Sequence, residues 1–458
     1  MINIVLCGGN GTRLWPLSRK YMPKQFVKIF NEQSLFELTL KRNSKVATYF
    51  YIVSNETQYF LALDQSREYL NGKKINFLLE PIGRNTAPAI ALTCFSLDYD
   101  DIVLVTPSDH LIKNEIEYEN IIKQAKELAE QNYLITFGIS PKYPDTGYGY
   151  IQAKKEIDKI YEVKLFHEKP NKDTAIKYLK NGNFFWNSGI FCFKAGLFLE
   201  ELKKFSPEIY NKSQIAFKNA IIDRNVIRIQ EKDMNQIPED SIDYAVMEKS
   251  NKVKLIESNI NWNDLGSFDS LSEELPSFID TIDIDSDNNF IYSDNKDKIV
   301  ATIGLKNYII IDTKDAILIS KKGKTQEVKK IVKKLNIKNP NILESHKIVY
   351  RPWGSYEVLM ETKKYKIKKI IVKPGKRLSL QKHFHRSEHW VVVSGTATVI
   401  IGNNKYLVSP NESKYIKIGE IHRLENEGKI DVVLIEVQVG EYIEEDDIIR
   451  LEDDFKRV

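Results

Sequence analysis

Cysteine is scarce in this chain of 458 residues: there are 3, Cys7, Cys94 and Cys192, far apart and each inside an apolar run. An odd, scattered set excludes a disulfide framework and points to buried free thiols in a reducing cytoplasm. Long hydrophobic runs are missing as well, and no stretch approaches the roughly 18–20 apolar residues that cross a bilayer. The opening "MINIVLCGG" has no basic flank and passes from a short apolar run straight into glycine, unlike an export signal. The expectation is a cytoplasmic protein with no membrane segment. An excess of one charge is also lacking: 67 Lys and Arg stand against 63 Asp and Glu, a net charge of +4. That argues against a nucleic-acid binder, although local basic patches could still hold phosphates.

What is present is the composition of a globular enzyme, 42% hydrophobic and 28% charged. The length is too great for one ordinary core, so two or three domains are expected. Over residues 1–270, buried-strand runs such as "INIVL", "DIVLVTP" and "YLITFGI" alternate with helical stretches such as "EYENIIKQAKELAEQ". That alternation predicts a Rossmann-like, doubly wound α/β domain. Over residues 271–345 short β-branched runs recur between Asp, Asn and Lys turns with no helix between them, which predicts small β-coils, a β-helix-like linker or a hairpin stack. A basic amphipathic helix, "KTQEVKKIVKKLN", follows. Residues 346–458 read as closely spaced strands with Pro, Gly and Asn turns, an all-β jelly roll or small barrel.

Two motifs carry chemistry. The first is "LCGGNGTRLWPLSRKYMPKQF". A strand runs into Gly8, Gly9, Asn10, Gly11 and Thr12, where backbone N–H groups could converge on phosphate oxygens. Arg13 and Lys24 add positive charge for a polyphosphate. No Gly-Lys-Ser/Thr follows, so this is not a P-loop. Leu14 stands where a third glycine would complete a dinucleotide fingerprint. The second motif is "QKHFHRSEHW", with His422 further on. His383 and His385 alternate on an expected strand, which would point both to one face. Glu388, His389 or both, with His422, could complete a site for a catalytic divalent metal such as Zn2+.

With "EPIGRNTAPAI", "VTPSDH", "DTGYGYI", "FHEKP", "FWNSGIFCF", "SIDYAVMEK" and "NWNDLGSFD" in order, the first motif resembles the sugar-1-phosphate nucleotidylyltransferases, in the mannose-1-phosphate guanylyltransferase branch. The resemblance covers essentially all of residues 1–270. It implies in-line attack of mannose 1-phosphate on GTP, with Mg2+ held by Asp109 and Asp264. It implies a base or ribose pocket at Glu80, Arg84, Asn85 and Thr86, and sugar-phosphate contacts at Gly147, Glu168, Lys169 and Asn187. "RPWGSY", "KPGKRLSLQKHFHRSEHW" and "HRLEN" resemble the cupin domain of type II phosphomannose isomerases. That implies interconversion of fructose 6-phosphate and mannose 6-phosphate with Zn2+ or another transition metal such as Co2+. It also implies Arg423 as the catalytic arginine, with Lys376, Arg377 and Lys382 as candidate phosphate partners. In that family the isomerase domain is fused behind the guanylyltransferase, both serving GDP-mannose and polysaccharide synthesis. The expected partners are thus nucleotide and sugar phosphates, with a homodimer expected on base rates. Three alternatives stay open: a guanylyltransferase whose cupin only binds sugar or dimerises, a nucleotidylyltransferase for another sugar or base, and a sugar-nucleotide sensor or scaffold without turnover.

Overall fold

The computed structural model describes residues 1–9, 12–277, 280–295 and 297–452, with Thr12 described in its backbone alone. The chain forms two compact units, Met1–Asp312 with Leu318–Lys334, and Thr313–Ile317 with Leu335–Val458.

The first unit is built on an 11-stranded sheet. Its strands are β1 (Ile2–Leu6), β2 (Tyr49–Asn55), β3 (Lys74–Glu80), β4 (Ile102–Pro107), β5 (Leu134–Ile139), β6 (Tyr150–Ile157), β7 (Ile160–His167), β8 (Phe184–Lys194), β9 (Ile221–Asp223), β10 (Val226–Arg228) and β11 (Val253–Glu257). They lie in the order β9-β10-β3-β2-β1-β4-β8-β5-β11-β7-β6. From β10 to β4 neighbouring strands are parallel, whereas β8 runs antiparallel to β4 and β5. The sheet is therefore mixed, a parallel half carrying antiparallel additions. Both faces are covered, which is why the strands read as continuous apolar runs. In β4, Leu104 packs with Tyr118, Ile121 and Ile122 of the helix Glu115–Glu130. Its neighbours Val103 and Val105 pack with Ala87, Ile90 and Ala91 of the helix Thr86–Cys94 on the other side.

Four linker strands pair in parallel, and a fifth, Ile317–Lys321, joins Tyr308–Asp312 across a short turn. Thr281–Ile284 lies against Val300–Ile303, and Phe290–Ser293 against Tyr308–Asp312. Every register pair is offset by 19 residues, as are the Asn288–Asn307 and Ser293–Asp312 side-chain bonds. Parallel pairing at a fixed offset is the geometry of β-helix coils and not of a hairpin stack.

The second unit is a pair of antiparallel sheets. Its strands are β12 (Ile348–Arg351), β13 (Gly354–Glu361), β14 (Tyr365–Val372), β15 (Leu380–His383), β16 (Arg386–Ser394), β17 (Ala397–Ile401), β18 (Asn404–Val408), β19 (Ser413–Ile416), β20 (His422–Glu425), β21 (Val432–Gly440) and β22 (Ile448–Glu452). One sheet runs β12-β13-β14-β21-β16-β19 and the other β18-β17-β20-β15-β22. Inward residues of both, among them Ile370, Val372, Trp390, Val399, Leu424 and Leu434, form one core. The inward positions of β14, β16 and β21 change character along their length. Val372, Val392 and Leu434 are apolar, while Lys366, Lys368, Arg386, Glu388, Glu436 and Gln438 are polar yet buried. One end of this barrel is thus a packed core and the other a polar interior.

Candidate functional site

Strands β1 and β4 are parallel neighbours with Leu6 opposite Pro107. The glycines after β1 and the aspartate after β4 therefore leave the sheet at one edge, where open α/β sheets place ligands. A Cβ on Gly8 or Gly9 would meet nothing within 4 Å, so the turn opens onto free space. Asn10, Gly11 and the Thr12 side chain lie outside the described residues. Lys24, on a buried turn, places its Nζ 2.9 Å from Asp109 Oδ2 and donates to the carbonyl of Asp264. Burial pushes the Asp109 carboxyl up, but the Lys24 ammonium, His110 and hydrogen bonds to the carboxylate together more than offset this and hold the group below its ordinary value. Asp264 Oδ1 accepts from Tyr148 Oη at 3.0 Å and from the Gly266 N–H at 2.9 Å. A side chain at Gly266 would meet both Asp264 and Arg13 Nη1, at 2.7 and 3.3 Å. Arg13, Lys24, Asp109 and Asp264 are thus brought together. Two carboxylates at a sheet edge, each ringed by donors, are an oxygen donor set suited to a hard cation.

Sequence reasoning assigned no role to three neighbours here. Trp262 Nε1 donates to His110 Nδ1 at 3.1 Å, leaving the proton on Nε2, which lies 3.8 Å from Asp109 Oδ1. Burial lowers the His110 pKa and keeps the ring neutral. Tyr148 packs edge-on against Trp262 and Trp186. All three stood inside quoted motifs, but their roles depend on contacts distant in sequence.

The residues expected on the nucleotide side cluster at the end of β3 and the start of the helix that follows. Glu80 is buried, its Oε1 has no hydrogen-bond partner, and burial pushes its carboxyl up to about 8. Arg84 donates to the carbonyls of Met234 and Asn235 at 3.2 and 3.0 Å. Asn85, at φ 67°, caps the helix Thr86–Cys94 by accepting from the Thr86 N–H. Thr86 Oγ1 accepts from the Ile242 N–H at 2.9 Å.

Of the residues expected on the sugar side, Glu168 and Lys169 directly follow β7, Asn187 lies on β8, and Gly147 precedes β6. Glu168 pairs with Lys169, whose φ of 45° is unusual for a lysine. A Cβ at Gly149 would meet Glu168 Oε2 and touch Asn187, so a larger residue here would shift the Glu168 carboxylate. Asn187 Nδ2 donates to Asp243 Oδ1 at 2.7 Å, and its Oδ1 accepts from the Gly189 N–H at 3.1 Å. Burial lifts the Asp243 carboxyl to about 6. The Gly147 N–H donates to Asp145 Oδ1 at 2.6 Å.

In the second unit His383, Glu388 and His422 offer ligand atoms within 4.8 Å of one another. His383 Nε2 is 3.1 Å and His422 Nε2 3.5 Å from the two oxygens of Glu388. All three are buried, yet neither nitrogen of His383 nor Nε2 of His422 has a hydrogen-bond partner. Orphaned buried nitrogens converging with a carboxylate fit a borderline metal such as Zn2+. His422 Nδ1 meets the Glu420 carbonyl at 2.8 Å, which orients the ring. Burial would raise the Glu388 pKa, but the two imidazoles more than offset that and hold it well below its ordinary value.

Three expectations for this cluster are corrected. His385 does not share a face with His383, because β15 ends at His383 and the chain turns. Its Nδ1 instead meets Asp447 Oδ1 at 2.8 Å. His389 is the strand neighbour of Glu388, so alternation sends it outward to Ser413 Oγ at 3.1 Å. Arg423 is turned away from the cluster for the same reason: His422 and Leu424 face the interior, and Arg423 bonds Glu452 Oε2 at 3.0 Å. Arg377 pairs with Glu425 at 3.5 Å, and Lys382 lies over the exposed ring of Phe384.

Residues 2–280 match the nucleotidyl transferase family, residues 280–335 the mannose-phosphate isomerase/GMP-like β-helix domain, and residues 338–453 the C-terminal domain of mannose-6-phosphate isomerase. The chain is 44% identical to mannose-1-phosphate guanylyltransferase 2 of Escherichia coli O157:H7, covering 100% of this chain and 98% of that one. It is 42% identical to a xanthan biosynthesis protein of Xanthomonas campestris, covering 100% and 99%. Among solved structures, a mannose-6-phosphate isomerase from Helicobacter pylori is 41% identical, with a TM-score of 0.52, over 57% of this chain and 99% of that one. With both of its units matched in full-length relatives, the chain belongs to the mannose-1-phosphate guanylyltransferase family whose members carry a C-terminal isomerase-type cupin domain.

Proposed function

We propose that this chain catalyses two reactions, making GDP-mannose and pyrophosphate from mannose 1-phosphate and GTP in its first unit, and interconverting fructose 6-phosphate and mannose 6-phosphate in its second. The observation that carries the first activity is the convergence of Lys24, Asp109 and Asp264 beside the open glycine turn. A phosphate oxygen of mannose 1-phosphate attacks the α-phosphorus of GTP in line, and the bond to the β-phosphate oxygen breaks. No covalent enzyme intermediate is needed, so catalysis is positioning and charge neutralisation. Arg13 and Lys24 face the phosphates, the Gly8–Gly9 turn admits them closely, and Glu80 meets the guanine donor edge. Glu168 and Asn187, with Asn187 oriented by Asp243, meet the sugar hydroxyls. Mg2+, held by Asp109 and Asp264, would neutralise phosphate charge.

The second activity rests on the unbonded imidazole nitrogens around Glu388. A Zn2+ or Co2+ ion held by His383, Glu388 and His422 would polarise the sugar carbonyl while a proton moves between adjacent carbons. The protein's part is to hold these three groups rigidly on two facing sheets and to bury them from bulk water. Both products are mannose phosphates or their nucleotide derivative, which fits supply of GDP-mannose to polysaccharide synthesis. The test is two assays on one preparation, GDP-mannose formation with Mg2+ and mannose 6-phosphate formation with Zn2+ or Co2+. A His383→Ala/His422→Ala variant is expected to lose only the second. Failure of the unsubstituted protein in either assay removes that activity from the reading.

A further inference from the structure

The polar half of the barrel holds more cations than a metal site needs. Lys366 and Lys368, on β14, are only 6% exposed, although β14 is otherwise apolar on its inner face. The register places them. Lys366 is opposite Gln438, which is opposite Glu388, and Lys368 is opposite Glu436, which is opposite Trp390. Lys366 therefore stands in the same cross-strand row as the carboxylate of the metal cluster, two strand spacings or about 10 Å away. The open chain of a hexose 6-phosphate puts its carbonyl and its phosphate at opposite ends of a six-carbon chain, a span of the same order. Burying lysines in a small barrel costs stability that apolar residues would not. Their position beside the cluster supplies a functional reason for the cost.

Both ammonium groups are met by carboxylates, those of Glu361 and Glu445 from more exposed positions and that of Glu436 from a buried one. Lys366 Nζ is 2.8 Å from Glu361 Oε1, and Lys368 Nζ is 2.6 Å from Glu445 Oε1, with Glu436 at 3.9 Å. The Glu445 side chain is half-exposed while that of Lys368 is buried. Glu445 belongs to an acidic segment laid against the polar end of the barrel. The Glu444 carbonyl accepts from Arg386 Nη1 at 2.8 Å, and Asp447 accepts from the His385 N–H at 3.1 Å.

Resting on the isomerase reading above, we infer that Lys366 and Lys368 form the seat for the substrate's phosphomonoester, and that the Glu445 carboxylate occupies this seat when no substrate is bound. The exchange is of one anion for another. The dianionic phosphate offers three acceptor oxygens where Glu445 offers one contact, so it can displace the carboxylate. Lys368 and Arg386 hold Glu445 down to about 2, so it stays an anion and a competitor at every working pH. The seat proposed here is on the inner face of β14, away from the candidates Lys376, Arg377 and Lys382.

The test is calorimetric binding of mannose 6-phosphate, and of mannose as a control, to metal-loaded full-length protein, with the isomerase assay run alongside. Lys368→Gln is expected to weaken mannose 6-phosphate binding at least ~10-fold, the loss of one charge-assisted hydrogen bond, and to leave mannose binding unchanged. Glu445→Gln is expected to tighten mannose 6-phosphate several-fold. It removes no buried group, so it decides the question even if Lys368→Gln does not fold. Unchanged binding of mannose 6-phosphate in Glu445→Gln, or in a folded Lys368→Gln, overturns the inference. Wild-type protein that binds mannose 6-phosphate with these variant effects but does not isomerise it would sink the isomerase reading and leave the phosphate seat standing.

Discussion

Lys24 and Asp109 form an ion pair at 2.9 Å in the free protein, and the same ammonium reaches the backbone of Asp264. The lysine therefore neutralises a carboxylate that the proposed function assigns to a cation beside the triphosphate. Lys24→Met is expected to have opposite effects on the two. Removing a positive charge about 3 Å from the carboxylate should tighten Mn2+ binding roughly 10-fold in the absence of nucleotide. Removing a phosphate contact should cut guanylyltransferase kcat/KM by about 100-fold or more. Manganese titration followed by electron paramagnetic resonance reads the first. Weaker manganese binding in the variant would mean that Lys24 organises the carboxylates and does not compete for them.

Asp243 accepts from the Asn187 amide at 2.7 Å, so its proposed role is to position Asn187. Its carboxyl is raised to about 6 by burial. A raised carboxyl favours the folded state fully below the unfolded value near 3.9, and that contribution is lost as pH rises through about 6. Asp243→Asn cannot ionise. The variant should therefore melt at a higher temperature than wild type above pH 6, with the gap closing toward pH 4. Its KM for mannose 1-phosphate should rise several-fold while its KM for GTP holds, because only the Asn187 amide loses its anionic acceptor. A change in both KM values would show that the residue supports the whole site.

Much of this was legible in the sequence for identifiable reasons. Strand–helix alternation gave the α/β unit, because buried parallel strands must be apolar on both faces. The glycine turn was visible because it follows an apolar run directly, whereas Asp109 and Asp264 stood out only through the family resemblance of the segments that hold them. The 19-residue coil offset of the linker escaped notice. Its two copies share only a pattern of β-branched residues, and no side chain has to be identical at both levels. Strand alternation misled where it was extended past a strand end, at His385. Applied within strands it would have separated His389 from Glu388 and Arg423 from His422. It could not have placed Lys366 and Lys368 inward, because the opposite face of "YKIKKIIV", with Tyr365, Ile367 and Ile371, is the more apolar one.

Glu80 gives a proton-linkage prediction. With its carboxyl pushed up to about 8, it holds a proton at pH 7 in the free protein. The guanine edge offers N–H donors, which need an ionised acceptor. GTP binding at pH 7 should therefore release up to about one proton, declining above pH 8 where the group is already ionised. Titration calorimetry in buffers of different ionisation enthalpy measures it directly. Glu80→Gln should abolish the release and weaken GTP more than ATP. A binding enthalpy independent of buffer would place Glu80 outside the base contact.

The histidine cluster yields the sharpest separation between two residues that look alike in sequence. His383 has no hydrogen-bond partner and lies among buried ligand atoms, whereas His385 is committed to Asp447 and more than half-exposed. His383→Ala should remove a ligand, drop the bound transition metal well below one equivalent and abolish isomerisation. His385→Ala removes a surface contact to the acidic segment and leaves the cluster intact, so metal content should stay near wild type and isomerase activity fall by less than ~10-fold. Chelation should mirror this in the unsubstituted protein: after EDTA, Mg2+ alone should restore GDP-mannose formation, and Zn2+ or Co2+ should be required for mannose 6-phosphate. Metal analysis by plasma mass spectrometry on the two variants gives the answer before any turnover is measured. Equal metal loss in both would mean that the turn at Phe384–His385 rearranges to bring the second histidine in, and that the ligand set is larger than His383, Glu388 and His422.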